Sequence, residues 1–169
     1  RDIALRFNHY YGNILSIPEA MIDEKKGIIP GSDGRKMSKS YGNTIPIFDT
    51  QKKLRKAIMK IKTNSLEPGE PKNHADCSVF KIFQAFASES QTSDLKKEYA
   101  NGIAWGKAKE ELFSLLDEKI TPFRDEYGKI TQDKSYIEKT LKDGAERALT
   151  ISTPVIEEIR KAVGIKEFK

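Results

Sequence analysis

Apolar residues recur three or four positions apart along most of this chain of 169 residues, and this spacing constrains the fold more than any other feature. Residues at this spacing lie on one face of a helix, so each run predicts a helix that packs one side against its neighbours. The runs are Ile3, Phe7 and Tyr11; Leu54, Ala57, Ile58 and Ile61; Val79, Ile82, Phe83 and Phe86; Leu95 and Tyr99; Ala108–Tyr127; and Ile137–Val163. The chain is therefore predicted to be mainly α.

Capping and breaking residues predict where these helices begin, bend and end. Gly12 is expected to end the first helix and Gly164 the last, since glycine tolerates the backbone conformation that follows a helix. Proline inside a helical run removes a backbone hydrogen bond, which predicts bends at Pro122 and Pro154. Side-chain oxygens before two runs predict N-terminal caps, by Asp49 or Thr50 and by Thr92 or Ser93.

Three stretches break the helical spacing. The apolar run at residues 14–17, stopped by Pro18, predicts a short buried strand. Residues 27–46 are rich in Gly, Ser, Pro and Asn and predict an ordered loop, and residues 64–73 predict a connector. The first 50 residues therefore suggest the tail of an α/β domain, whereas the second half suggests a bundle of four or five helices.

One cysteine and no long apolar run restrict the cellular setting. Cys77 has no disulfide partner and no neighbours for a multi-cysteine metal site, which favours a reducing, cytoplasmic compartment. No apolar stretch approaches the roughly 20 residues that cross a bilayer. The cysteine is predicted to be a buried structural thiol and Trp105 a packing residue. Four phenylalanines are assigned to the core: Phe80, Phe83, Phe86 and Phe123.

Positive charge is concentrated in one stretch. Between Lys25 and Lys62 the chain has 11 Lys or Arg residues and two acids, whereas the rest holds 19 basic and 23 acidic residues. Local excess of this kind favours ligands that carry phosphate, although a solvated helix face has a similar composition. Four of these cations lie on the second predicted helix: Lys52, Lys53, Arg55 and Lys56.

The loop contains two lysines three positions apart, in the string Lys36-Met37-Ser38-Lys39-Ser40. Each ammonium offers a compact charge and three hydrogen-bond donors, so the pair suits one polyphosphate. The two serines add donors, and Gly31, Gly34 and Gly42 allow the backbone to approach a ligand closely. The loop holds neither a nucleophile nor a general base. Its chemistry is therefore to stabilise charge that develops on phosphate during a transfer.

This five-residue string is the second signature of class I aminoacyl-tRNA synthetases, and the chain around it resembles the tryptophanyl-tRNA synthetases. The resemblance covers nearly the whole chain. It is carried by the loop and by further segments: Arg1-Asp2-Ile3-Ala4, Ile17-Pro18-Glu19, Trp105-Gly106-Lys107-Ala108-Lys109 and Asp143-Gly144-Ala145-Glu146-Arg147-Ala148. It implies that residues 1–48 end a Rossmann-like catalytic domain and that residues 49–169 form a C-terminal helical domain that binds the tRNA anticodon.

The resemblance implies a tryptophan–tRNA ligase that forms tryptophanyl-adenylate from ATP and transfers tryptophan to its tRNA. Lys36 and Lys39 would act on the ATP phosphates, while Met37, Ser38 and Ser40 would complete the loop. Ile28 and Ile29 would meet the adenine, and a short buried strand is the alternative for them. Mg²⁺ would accompany the ATP without a protein ligand in this chain. The family also implies a cytoplasmic homodimer, with tRNA phosphates as candidate ligands of the four cations on the second helix.

The sequence departs from the family pattern in one major respect. The first class I signature, His-x-Gly-His, is absent, and the two histidines, His9 and His74, are expected to be incidental. The chain also begins at Arg1 within a helical pattern, which predicts a C-terminal piece that is inactive alone. Ser32 stands where the family has a bulkier apolar residue. The alternatives are a tyrosyl-tRNA synthetase, a non-catalytic tRNA-binding module and a general phosphate-binding helical protein.

Overall fold

The structure of the protein is a computed structural model that describes residues 1–22 and 27–165, and these residues are mainly helical. Their α-helices in chain order are α1 (Asp2–Tyr11), α2 (Gln51–Met59), α3 (Ser78–Phe86), α4 (Glu89–Ala100), α5 (Trp105–Ile130) and α6 (Lys134–Ala162). A 3₁₀ helix, Lys39–Tyr41, precedes α2. The described ranges contain no β-strand, only an isolated antiparallel bridge between Pro30 and Lys36. The prediction of a mainly α chain is confirmed.

The chain divides into two compact units. One unit comprises residues 22–129, and the other combines residues 1–21 with those from 130 onward. The predicted boundary between residues 48 and 49 separates a catalytic domain from a tRNA-binding domain, and it stays a prediction. Lys25 and Lys26, which belong to the basic stretch, lie outside the described residues.

The unit of residues 22–129 is built around one hydrophobic core, to which α2, α3, α4 and α5 each contribute their apolar face. Removing such side chains from water is the main stabilising term, at about 1.5–3 kcal/mol for each fully buried aliphatic or phenylalanine side chain. The core residues are Ile45, Leu54, Ile58, Ile61, Cys77, Val79, Phe80, Ile82, Phe83, Leu95, Tyr99, Ile103, Ala108, Leu112, Leu115, Leu116 and Ile120. The predicted helical bundle is confirmed for this unit.

The beginnings of two helices test the cap predictions. Thr50 caps α2 and accepts a hydrogen bond from the Lys53 amide, as predicted. The prediction for α4 is wrong, because the helix begins at Glu89 and Ser88 caps it. Ser88 and Gln91 form a reciprocal capping box, which satisfies two backbone donors at once. The cap therefore lies before the first buried residue of α4 and not beside it.

The strand predicted at residues 14–17 is wrong. The Asn8 side chain of α1 accepts hydrogen bonds from the amides of Ile14 and Leu15 at 3.2 and 2.9 Å. It also donates to the Leu15 carbonyl at 2.7 Å. These contacts replace the pairing that a neighbouring strand would provide, so the segment folds back on α1 after Gly12 ends that helix.

Two of the four phenylalanines assigned to the core are not buried. Phe80 and Phe83 are core residues, as predicted, whereas Phe86 at the end of α3 is exposed. Phe123 is 68% exposed and follows Ile120, the last buried residue of α5. Helical spacing therefore continues beyond the part of α5 that the core covers. The same holds for α6, which has no buried residue although its apolar spacing is regular.

The predictions for Cys77 and Trp105 are confirmed. Cys77 is buried, and its Sγ lies 3.4 Å from the Tyr99 hydroxyl. Trp105 packs against the core, meets the Tyr99 ring edge-on and donates its indole N–H to Asn64. Both proline-containing helices, α5 and α6, continue through their prolines.

Candidate functional site

The loop before α2 is shaped by short backbone hydrogen bonds. The Gly31 amide donates to the Arg35 carbonyl at 2.7 Å and the Gly34 amide donates to the Gly31 carbonyl at 3.1 Å. Gly34 has a φ of +88°, a conformation that other residues adopt only with strain. After this turn, the Met37 amide donates to the Ile29 carbonyl at 3.0 Å. The chain therefore reverses direction just before the two lysines.

Asn43 holds the loop from inside. Its side chain is 2% exposed and accepts a hydrogen bond from the Ser38 amide at 2.8 Å. It donates to the Asp33 carboxylate at 2.7 Å and to the Lys36 carbonyl at 3.2 Å. The Ser32 amide donates to the Asn43 carbonyl at 3.0 Å. One buried amide thus joins both sides of the turn.

Asp33 carries a charge that the loop stabilises. The hydrogen bond from Asn43, opposed by partial burial and assisted by Arg35, lowers the pKa of the Asp33 carboxyl from 3.8 to about 2. Arg35 also donates to Asp33 at 2.7 Å and lies over the Tyr41 ring, 4.2 Å from its centroid. The guanidinium is thereby engaged inside the loop. It is less available to a ligand than the neighbouring lysines.

The signature residues present their polar groups to solvent. Lys36 and Lys39 are exposed, and neither ammonium has an ion-pair partner among the residues that the structure describes. Met37 is partly buried and packs against the core. The hydroxyls of Ser38 and Ser40 lie 2.8 Å apart. The loop therefore combines an anchored backbone with two uncommitted cations, which suits the binding of phosphate oxygens.

A cavity of about 850 Å³ borders one side of the loop, in the unit of residues 22–129. It brings together three of the predicted site residues, Ile28, Ile29 and Lys36, whereas residues 37–40 do not line it. Ile28 is 69% exposed and neither isoleucine is in a strand, so the buried-strand alternative is wrong. The remaining lining residues are Ile22, Gly27, Pro30, Gly34, Lys81, Gln84 and Ala85.

The four cations of α2 are all exposed, but two of them are already paired. Lys53 binds Asp49 at 2.8 Å, and Arg55 forms an ion pair with Glu110 of α5. Within the described ranges, Lys52 and Lys56 have no such partner. A phosphate would meet these two lysines without displacing a carboxylate.

Sequence reasoning missed the roles of Asn43 and Asp33. The string Asp33-Gly34-Arg35 does contain a turn signal, since an aspartate side chain readily accepts from the amide two residues on. Asn43 gave no comparable signal, because its role depends on burial. Lys81 and Gln84 of α3 were also missed as neighbours of the loop. Their approach is a consequence of helix packing.

Clustered metal ligands and membrane-spanning helices are two further features that could define a site. Within residues 1–22 and 27–165, no three His, Cys, Asp or Glu side chains are grouped so that they could hold a metal ion. No helix in these ranges is long and apolar enough to span a membrane.

A helical unit whose anchored loop presents two ammonium groups without an ion-pair partner among the described residues is, by its chemistry, a candidate phosphate-binding protein. The family model of class I tRNA synthetases for tryptophan and tyrosine matches residues 1–119. The chain belongs to this family.

Relatives and solved structures agree with the family match. The chain is 43% identical to the tryptophan–tRNA ligase of Neisseria meningitidis, over 100% of the chain and 50% of that protein. It is 44% identical to the tryptophan–tRNA ligase of Pseudomonas aeruginosa, over 100% of the chain and 38% of that protein. A structure of tryptophanyl-tRNA synthetase from Campylobacter jejuni, complexed with ADP and tryptophan, matches with a TM-score of 0.74 and 37% identity. That match covers 97% of the chain and 52% of the solved one. The chain thus spans half or less of the length of these curated relatives.

Proposed function

We propose that this chain is the C-terminal part of a tryptophan–tRNA ligase and supplies its ATP-phosphate loop and tRNA-binding helices. The observation that carries the proposal is a pair of exposed lysines, Lys36 and Lys39, on a loop anchored by Asn43; neither has an ion-pair partner within residues 1–22 and 27–165. Relatives of 43 and 44% identity that bear the name tryptophan–tRNA ligase support tryptophan over tyrosine. The chain spans half or less of the length of these relatives, so we propose that the remaining active-site residues lie outside it.

The reaction defines the work of the two lysines. A carboxylate oxygen of tryptophan attacks the α-phosphorus of ATP, the bond to the bridging oxygen breaks, and pyrophosphate leaves with the bonding electrons. Negative charge grows on the departing phosphates, and Lys36 and Lys39 neutralise it. Preorganised charge of this kind stabilises the transition state more than the ground state. In the second step a ribose hydroxyl of the 3′-terminal adenosine of the tRNA attacks the carbonyl carbon of the adenylate, the bond from that carbon to the phosphate oxygen breaks, and AMP leaves.

The other loop residues have supporting roles. The hydroxyls of Ser38 and Ser40 share one hydrogen bond, so one of them keeps its proton free for a phosphate oxygen while the other braces the loop. Met37 holds the loop to the hydrophobic core. Ile28 presents an exposed apolar surface beside Lys36, and Ile29 supplies the backbone next to it, which suits an adenine ring.

Divalent metal enters with the nucleotide and not through this chain. Mg²⁺ accompanies ATP as part of the substrate, because a polyphosphate at neutral pH binds the ion through its own oxygens. Lys36 and Lys39 then act on the phosphate charge that the ion leaves uncompensated.

The basic face of α2 is proposed to contact tRNA phosphates. Lys52 and Lys56 are the stronger candidates, because Lys53 and Arg55 are held by carboxylates. The later helices are proposed to recognise the anticodon. The complete enzyme is proposed to be a cytoplasmic homodimer, as the family resemblance implies.

Amino-acid-dependent ATP–pyrophosphate exchange tests the proposal, measured on the complete ligase that carries this chain with each standard amino acid in turn. Tryptophan alone should support exchange. Lys39→Ala should lower the rate by about 10²–10³-fold, the usual cost of removing one preorganised charge donor. Lys96→Ala, which removes an exposed lysine of α4, is the matched control and should leave the rate unchanged.

Other results of the exchange assay would each contradict a different part of the proposed function. Exchange with tyrosine would move the assignment to the sister ligase, with the loop chemistry intact. Exchange that Lys39→Ala does not alter would remove that lysine from the mechanism. An absence of exchange with all amino acids would favour a non-catalytic tRNA-binding module. Measurable adenylation by the 169-residue chain alone would contradict its assignment as half of an active site.

A further inference from the structure

Asn43 uses the whole hydrogen-bonding capacity of its side-chain nitrogen within the loop. One N–H donates to the Asp33 carboxylate and the other to the Lys36 carbonyl, at 2.7 and 3.2 Å. The oxygen accepts from the Ser38 amide at 2.8 Å. At 2% exposure, these groups are shielded from water, so losing a partner would leave a buried polar group unsatisfied.

Two of these contacts lie on either side of Met37. The Lys36 carbonyl and the Ser38 amide belong to the peptide groups that flank this residue, and one side chain holds both. The 3₁₀ helix that carries Lys39 begins immediately after Ser38. The Asn43 amide therefore orients the backbone from which both signature lysines extend.

The residues around the Asn43 side chain leave space for it and supply its hydrogen-bond acceptor. A Cβ atom at Gly31 would lie 2.4 Å from the Asn43 Cγ and Nδ2 atoms, so only glycine leaves room for the side chain. Asp33 is itself held by Arg35 at 2.7 Å, which keeps an acceptor aimed at Asn43. A carboxylate in place of the Asn43 amide would supply no donor to either acceptor.

We propose that Asn43 is a positioning residue that aligns Lys36 and Lys39 on the ATP phosphates through the peptide groups on both sides of Met37. This inference rests on the proposed function of the loop. Asn43 acts through the lysines and contacts no reacting atom itself.

The test compares Asn43→Ala, Lys39→Ala and the double variant in the complete ligase. Asn43→Ala should lower kcat for pyrophosphate exchange by about 10–100-fold, since a shift of about 1 Å in a charged group costs up to about 100-fold. The KM for tryptophan should stay within about twofold, because the loop does not form that pocket. In the Asn43→Ala background, Lys39→Ala should cost less than it does alone.

A purely structural role predicts a different pattern. Thr92→Ala is the matched control, because this buried residue donates its hydroxyl to the Ser88 carbonyl at 2.8 Å, in α4. It should lower Tm while leaving kcat per folded molecule and the cost of Lys39→Ala unchanged. If Asn43→Ala behaves like Thr92→Ala, with an undiminished cost of Lys39→Ala, the positioning role is overturned.

Titration with pyrophosphate separates this inference from the proposed function. Asn43→Ala should weaken pyrophosphate binding to the ligase by about tenfold, whether or not any amino acid supports exchange. If the unaltered ligase shows no exchange, the proposed function fails, and weaker pyrophosphate binding by the variant still supports the positioning role. Equal pyrophosphate affinity of the two proteins overturns it.

Discussion

Replacing Gly31 by alanine should detach the Asn43 side chain from the loop. The backbone of Gly31 is not in the left-handed region, so alanine can adopt its conformation. The obstacle is space, because the new Cβ would lie 2.4 Å from the Asn43 Cγ and 2.6 Å from the Asn43 carbonyl oxygen. Carbon atoms do not approach that closely in packed interiors, and the side chain must move.

The cost follows from the contacts that Asn43 loses. Its side chain makes three hydrogen bonds, with Ser38, Asp33 and Lys36. At about 1 kcal/mol net for each, the free energy that keeps this part of the loop closed should fall by about 3 kcal/mol. Since about 1.4 kcal/mol corresponds to a factor of ten, the Ser38 amide should exchange its hydrogen about 100-fold faster.

The assay is hydrogen–deuterium exchange followed by NMR on the 169-residue chain, with far-UV circular dichroism as a check on helix content. Gly42→Ala is the matched control, because Gly42 has a φ of +62° but a Cβ atom added there would meet no other atom within 4 Å. Its cost should be about 1 kcal/mol of backbone strain, or about fivefold faster exchange. An effect of Gly42→Ala equal to or larger than that of Gly31→Ala would refute the steric argument.

The remaining predictions concern the core and one carboxylate. Leu112→Ala, at a fully buried position, should lower the free energy of unfolding in urea by about 2–5 kcal/mol, whereas Leu141→Ala, at a position 68% exposed, should change it by less than about 0.5. Equal effects would contradict the assigned core. Because the pKa of Asp33 falls from 3.8 to about 2 on folding, its charge stabilises the protein above about pH 4, and this contribution is lost as the pH falls towards 2. The stability difference between the protein and Asp33→Asn, measured by urea unfolding at several pH values, should therefore shrink over that interval; a constant difference would exclude this linkage.

Local features were predicted well because they depend on neighbouring residues. The spacing of Leu54 and Ile58 defines the buried face of α2, and Thr50 caps it through an amide three residues away. The string of residues 36–40 predicts phosphate binding by itself, since the lysines and serines that would bind phosphate lie within five consecutive residues. The cap of α4 was misplaced for a related reason. Ser88 and Gln91 signal a capping box, but the apolar spacing that guided the prediction begins later.

Burial and long-range partners required the tertiary structure. Phe83 and Phe123 both belong to runs with helical spacing, yet only Phe83 is buried. The apolar run at residues 14–17 is typical of a strand, but it does not indicate which group accepts hydrogen bonds from the amides of the run. In the structure the Asn8 side chain accepts two of them, from Ile14 and Leu15.

The sequence by itself determined the helices, the phosphate-binding character of the loop and the family to which its signature points. The tertiary structure decided how that loop is held, through contacts such as the one that joins Asn43 to Asp33 across ten positions of the chain. It also decided which cations are uncommitted, since Glu110 of α5 binds Arg55 of α2. The physical reason is that helix spacing and charge are properties of short segments, whereas burial and hydrogen-bond partners exist only once distant segments pack together.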